Sequence, residues 1–234
     1  MTKVLFVLTS HTQLGDTGEA TGFYYEELAA PFWTLKDAGF DITLASIAGG
    51  PVAHDPKSLS ASAEDRDPAV QRFLADESAM MQLQTTQAID EITPEAYDAI
   101  FLPGGHGTVW DFPTSEALST AVSTIYNSNG IVGAVCHGPA GLVNAKKADG
   151  TPLVQGMRVN GFTDAEEAAV GLTDVVPFLL ESKFRELGAH FVAGGNFTPY
   201  AVRDDRLITG QNPMSSQNVA DMVVEALSEH SAAA

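Results

Sequence analysis

The chain has 234 residues with 12 Lys and Arg against 30 Asp and Glu, a formal charge of −18, and one cysteine. Such an acidic surplus repels phosphate backbones and anionic membrane surfaces, which argues against nucleic acid as a partner. A lone cysteine cannot close an intramolecular disulfide, no apolar run reaches the ~20 residues that span a bilayer, and the 44% hydrophobic content suits one packed domain over 1–234, with a cytoplasmic setting by elimination.

The first element is KVLFVL, 3–8, a dense apolar run of the kind a parallel strand shows when both its faces are covered. The opening MTKVLFVLTS has one Lys before five apolar residues and then turns polar, which suits a strand better than a signal peptide. A second strand is expected at FDITLAS, 40–46, after helical spacing in GFYYEELAAPFWTLKDAG, where Pro31 predicts a kink or break and Gly39 a stop. Residues 48–70 are rich in Gly, Pro, Ser and Asp and read as a long loop, with short helices following, so that a cap is expected around 50–90. Next come a strand in DAIFLPGG (98–105), a helix across 114–128, a strand IVGAV (131–135), and a helix from about His137. MRVNGF, HFVAG and RLITG are expected as strands, with a helix near 177–187 and a closing helix SSQNVADMVVEALSEH. Strands alternating with helices predict an α/β fold with a mostly parallel sheet and helices on both faces. Ligands in such sheets bind beyond the carboxyl ends of the strands.

Cys136 falls at one of those ends, between the strand IVGAV and the expected helix, with small residues Ala134 and Gly138 two places away on either side and Pro139 just beyond. A strand-to-helix elbow that presents a nucleophile needs this composition. The unpaired N–H groups and dipole of the expected helix predict a thiol below its ordinary pKa of ~8.5, an anion near neutral pH. The alternative is a packing cysteine, which requires neither turn nor cap signals. FLPGGHGTVWDFP (101–113) ends another strand with paired glycines, which places N–H groups near Gly105 and His106 at the same crevice.

With these motifs the chain resembles the DJ-1/PfpI superfamily, and within it the Hsp31-like group that includes the glutathione-independent glyoxalase III enzymes. The likeness rests on VLFVLTS, TGFYYEELAAPFWTLKDAGFDITLAS, GHGTVWDFP, AVCHGPAGL, GFTDAEE and RLITGQNPMSS. It implies a flavodoxin-like sandwich with a small cap, often a homodimer. It further implies Cys136 as nucleophile, His137 as its base, Glu167 as the acid orienting that histidine, and Glu27 as a protonated carboxyl beside the thiol. The count of five from Gly22 selects Glu27 over Glu26, and the count from Gly161 and Asp164 selects Glu167 over Glu166; one residue of slip would exchange them.

The implied substrates are methylglyoxal and glyoxal. Cys136 would attack the aldehyde, with the oxyanion met by N–H groups around Gly105, His106 and His137, and a base, His137 or Glu27, would carry the proton from C1 toward C2. Neither glutathione nor a metal or other cofactor is called for, and the six histidines show no ligand spacing such as H-x₃-H. The alternatives are a holdase chaperone, a protein deglycase using the same site, and an oxidative-stress sensor based on sulfinic oxidation of the thiol. A class I glutamine amidotransferase is disfavoured because no downstream H-x-E occurs.

Overall fold

In the computed structural model, which describes residues 2–59 and 62–233, the first apolar run forms strand β1 (Lys3–Leu8). Leu5 and Val7 enter the core on one side of the sheet, while Val4, Phe6 and Leu8 enter the core on the other. Both faces are covered, so the run is continuously apolar rather than alternating.

Helix α1 (Tyr25–Asp37) returns the chain to β2 (Asp41–Ser46), parallel to β1 with Lys3 opposite Asp41 and Leu8 opposite Ser46. Pro31 lies inside α1 without breaking it. The lost backbone hydrogen bond and ring clash cost about 3 kcal/mol, but Leu28, Phe32 and Leu35 are fully buried on the same helix, at roughly 1.5–3 kcal/mol each.

The expected cap segment contains 3-10 turns at Pro56–Ser58 and Ala63–Asp65, then α2 (Pro68–Ala75), α3 (Glu77–Gln84) and a short edge strand β3 (Gln87–Ala88). Asp67 and Asp76 cap the two helices through their side chains. Phe73 of α2 packs 5.1 Å from Phe32, which fastens this segment onto α1.

The sheet continues with β4 (Ala99–Leu102), the short α4 (Thr108–Asp111), α5 (Glu116–Asn127) and β5 (Ile131–Val135). No α-helix follows β5: Gly138–Leu142 wind as a 3-10 turn, a correction to the sequence expectation. Two glycines and a proline in five residues weaken helical propensity, and the glycines are needed for packing, as shown below.

The next elements are β6 (Arg158–Val159), α6 (Asp164–Ala169), α7 (Leu180–Glu186) and β7 (His190–Phe191). The expected strands MRVNGF and HFVAG shrink to these two-residue pieces, which pair with each other and not with the main sheet. Beyond Val159 the Asn160 N–H donates to the Thr209 side chain, so side-chain bonding replaces the ladder. An unforeseen strand β8 (Ala201–Asp204) runs antiparallel to β9 (Leu207–Gly210), and α8 (Ser216–Ala233) closes the fold.

The sheet order is β3-β2-β1-β4-β5-β9-β8, parallel except for β8. Helices α1 and α8 cover one face and α5 the other. The chain leaves β1 toward β2 on one side and later returns to β4 on the other side of β1, so the carboxyl ends of β1 and β4 diverge into a crevice at this switch point. Among the described residues, no helix is long and apolar enough to cross a membrane.

Candidate active site

Cys136 follows β5 at φ +60°, in the left-handed region where a β-carbon costs roughly 1–2 kcal/mol. Two backbone bonds hold it there: its N–H donates to Gly210 O at 2.9 Å and its carbonyl accepts from Phe162 N at 2.8 Å. A β-carbon on Gly138 would lie 2.0 Å from Leu102 O, and one on Gly141 2.8 Å from Leu102 Cδ1, so the turn after the thiol must be glycine-rich to fit against β4.

Without an α-helix after Cys136, the dipole expected to depress its pKa is missing. Burial, followed by the nearby Glu27 carboxyl, pushes the thiol well above its ordinary range, and the opposing His137 N–H does less. What departs from the expectation is the electrostatic setting: no helix dipole lies behind the sulfur, and burial acts in the opposite direction.

His137 Nδ1 lies 3.4 Å from Cys136 Sγ and Nε2 2.7 Å from Glu167 Oε2. Burial pushes Glu167 up, but His137 and His106 outweigh it and hold the carboxyl near 2, so it accepts hydrogen bonds only. Nε2 must then carry the hydrogen. Burial, reinforced by His106, keeps His137 below its usual range, so a neutral ring turns the Nδ1 lone pair toward sulfur.

Glu167 stands in the first turn of α6, which Thr163 caps together with Glu166. Glu166 is consumed structurally: Oε2 accepts from Thr163 N and Oγ1, and Oε1 from Phe197 N and Asn212 Nδ2. Glu167, one residue on, meets the histidines.

Glu27, in the first turn of α1, is 0% exposed; its Oε2 accepts from Gly104 N at 2.7 Å. Its Oε1 has no partner of ordinary hydrogen-bond geometry, and after burial its strongest interaction is with the Cys136 sulfur. Burial drives this carboxyl well above the carboxylate range and so favours its protonated form. Glu26 points elsewhere. Burial and then Asp67 lift it to about 7, and it walls a cavity of about 200 Å³ with Tyr24, Lys57, Arg66 and Asp67. Tyr24, pushed up to about 12 by burial and then by Glu27 and Cys136, places a neutral phenol near the thiol.

Gly105 and His106 sit differently from one another. Gly105, at φ +102°, packs its backbone where a β-carbon would meet Gly22 O at 2.2 Å. His106 brings Nε2 to 3.0 Å from Glu167 Oε1, with its ring 4.2 Å from that of His137 and Phe162 packed 4.4 Å from His137. His106, His137 and Glu167 bring ligand-type atoms within 4.8 Å of one another. Each carboxylate oxygen already accepts one ring N–H, so protons account for the arrangement.

Sequence reasoning missed three supports. Gly104 donates to Glu27. Thr108 Oγ1 donates to both Gly105 O and His137 O, which ties the two loops together. Asp111, lifted by burial to about 6, accepts from Ser10 N, His11 N and Thr9 Oγ1 and pins the loop after β1. The GTVWD pattern held the last two signals.

The fold and site define a doubly wound α/β protein with a thiol, an imidazole and two buried carboxyl groups gathered at the ends of its parallel strands. The DJ-1/PfpI family model matches residues 19–226, and the chain belongs to that family. It is 31% identical to Glyoxalase 3 of Candida albicans over 97% of this chain and 98% of that one. It is 32% identical to the glutathione-independent glyoxalase HSP31 of Saccharomyces cerevisiae, over 96% and 98%. The crystal structure of glyoxalase III from Candida albicans superposes with a TM-score of 0.88 at 30% identity, covering 96% of this chain and 97% of that one.

Proposed function

We infer that this protein is a glutathione-independent glyoxalase of the glyoxalase III type, which converts methylglyoxal to lactate and glyoxal to glycolate through a bond to Cys136. The observation that carries this is the buried series from Cys136 Sγ through His137 to Glu167, with Glu27 at the same sulfur. Relatives named as glyoxalases along nearly the whole chain support it.

In this mechanism His137 Nδ1 takes the thiol proton as Sγ attacks the aldehyde carbon, so the base activates the nucleophile at the moment of use. The new oxyanion is met by N–H groups around Gly105, His106 and His137 and receives a proton from Glu27 or from the His137 imidazolium, giving a hemithioacetal. A base, His137 or Glu27, then moves the C1 proton to C2 through an enediol. This leaves C1 as a thioester and C2 as an alcohol. Water cleaves the thioester, releases lactate and returns hydrogen to sulfur. One water is consumed and no net electron is transferred, so the atoms balance without glutathione.

The 50–90 segment serves as the cap of a single domain. Lys57, Arg66 and Asp67 of this segment wall the 200 Å³ cavity that adjoins Tyr24 and Glu26. A homodimer in the cytoplasm belongs to the same proposal, the dimer being testable by equilibrium sedimentation.

The experiment is incubation with methylglyoxal and no thiol additive, following lactate, with Cys136→Ala in parallel. Lactate from the parent and a loss of at least ~10³-fold in the variant are expected. Lactate that appears only when glutathione is supplied would refute the assignment.

A further inference from the structure

Glu167 serves two imidazoles. His137 reaches Oε2 at 2.7 Å and His106 reaches Oε1 at 3.0 Å, so both lobes of one carboxylate are occupied by ring nitrogens. The two rings differ in exposure: 1% for the His137 side chain against 18% for His106, with Glu167 at 4%. Phe162 packs on both, 4.4 Å from His137 and 5.9 Å from His106.

We propose that His106 is a positioning residue that sets the basicity of His137 by competing with it for Glu167. A carboxylate hydrogen-bonded to one imidazole stabilises the cationic ring and makes that ring a stronger base. Here the carboxylate is divided. Positive charge on the His106 ring, 4.2 Å between ring centres from His137, opposes a second charge on His137, and His106 holds Oε1 so that His137 has Oε2 alone. His137 thus keeps a free Nδ1 lone pair facing sulfur to lower pH than a Cys-His-Glu series with a single histidine would allow.

The other titratable groups facing the pair do not replace this effect. Glu166, also on α6, spends both oxygens on Thr163, Phe197 and Asn212. Glu27 from α1 and Cys136 on the elbow are buried acids that burial pushes toward their neutral forms. Burial already holds His137 below its ordinary range, and His106 is the next contributor in the same direction.

The test uses full-length protein labelled with ¹⁵N-histidine, with His137 ring resonances followed from pH 5 to 9 in the parent, His106→Gln and His106→Asn. The Gln variant keeps an amide donor for Glu167 but cannot take a charge. The His137 midpoint should rise by about one pH unit in both variants. In the parent, its resonances should move in two steps, one for each ring. An unmoved midpoint in both variants, or a simple one-step titration in the parent, overturns the proposal, and the parent measurement stands even if a variant fails to fold. The kinetic counterpart rests on the glyoxalase assignment: loss of kcat/KM for methylglyoxal should be about tenfold greater at pH 6 than at pH 8. A uniform loss would mark His106 as a substrate-binding or structural group and overturn the proposal. If the parent makes no lactate, the glyoxalase assignment fails while the NMR titration still decides the role of His106.

Discussion

Replacing Gly104 with alanine should cripple the site through one methyl group. No positive φ is required there, so the backbone accepts alanine and the effect is steric. The added carbon would lie 2.6 Å from Glu27 Oε2, 2.7 Å from His137 N and 2.7 Å from Val135 O. Two of these atoms belong to the backbone of β5 and the elbow and cannot turn aside. The third is the carboxyl oxygen that Gly104 itself holds by hydrogen bond.

Overpacking of this kind costs about 1–3 kcal/mol, and loss of a buried hydrogen bond roughly 1–3 kcal/mol more. The sum is a large part of the ~5–15 kcal/mol that holds a domain together, yet within it. A carboxyl displaced by about an ångström should lower lactate formation by on the order of 10²-fold. Gly150→Ala is the control: its φ is +84° and a β-carbon meets nothing within 4 Å, so about 1 kcal/mol of backbone strain is expected with no loss of rate. Urea midpoints and initial lactate rates at fixed methylglyoxal measure both. A Gly104→Ala protein with the parental rate, or no less stable than Gly150→Ala, refutes the reasoning.

Glu27→Gln should inactivate the protein by roughly 10²–10⁴-fold while gaining stability relative to the parent as pH rises. The native carboxyl sits far above the carboxylate range, so the unfolded chain sheds that proton first and the parent loses stability above the unfolded value. Urea midpoints at pH 5 and pH 8 read the difference, which must grow in favour of the variant at pH 8. Glu167→Gln has the opposite sign. A carboxyl held near 2 by two histidines contributes stability present above the ordinary carboxylate range and lost as pH falls toward 2. The variant should lose about 1.5–3 kcal/mol at pH 7, and acid titration of the folded fraction should show that deficit shrinking below about pH 4.5.

How far the chain announces this structure depends on the range of each interaction. The run Val4–Leu8 is continuously apolar because both faces of β1 are covered, and no distant information is needed to read it. Cys136 between a strand and Gly138-Pro139 is likewise a local pattern. The missing helix after it was legible in principle, since Gly138 and Gly141 both weaken a helix, but their real requirement is contact with Leu102, 36 and 39 residues away. The meeting of His106 with His137 on Glu167 spans 61 residues and follows no ligand spacing. The hairpin of β8 and β9 was hidden for a different reason: its turn uses Asp205 in the left-handed region rather than a glycine.

Protonation links these features into one account of reactivity. An exposed catalytic thiol can be kept as an anion by helix N–H groups or a nearby cation; this sulfur is buried beside a carboxyl with a 3-10 turn behind it, and burial pushes both groups toward their neutral forms. A pair that keeps at least one proton between its two acids avoids the cost of burying like charges, and the thiol's proton can pass to a base within reach. His137 supplies it because its Nε2 hydrogen is committed to Glu167, leaving Nδ1 open at 3.4 Å from sulfur. The elbow therefore acts mainly by geometry. The left-handed turn at Cys136 lets adjacent residues present sulfur and imidazole to each other, with the Nδ1 lone pair of His137 placed to take up the proton that the sulfur sheds.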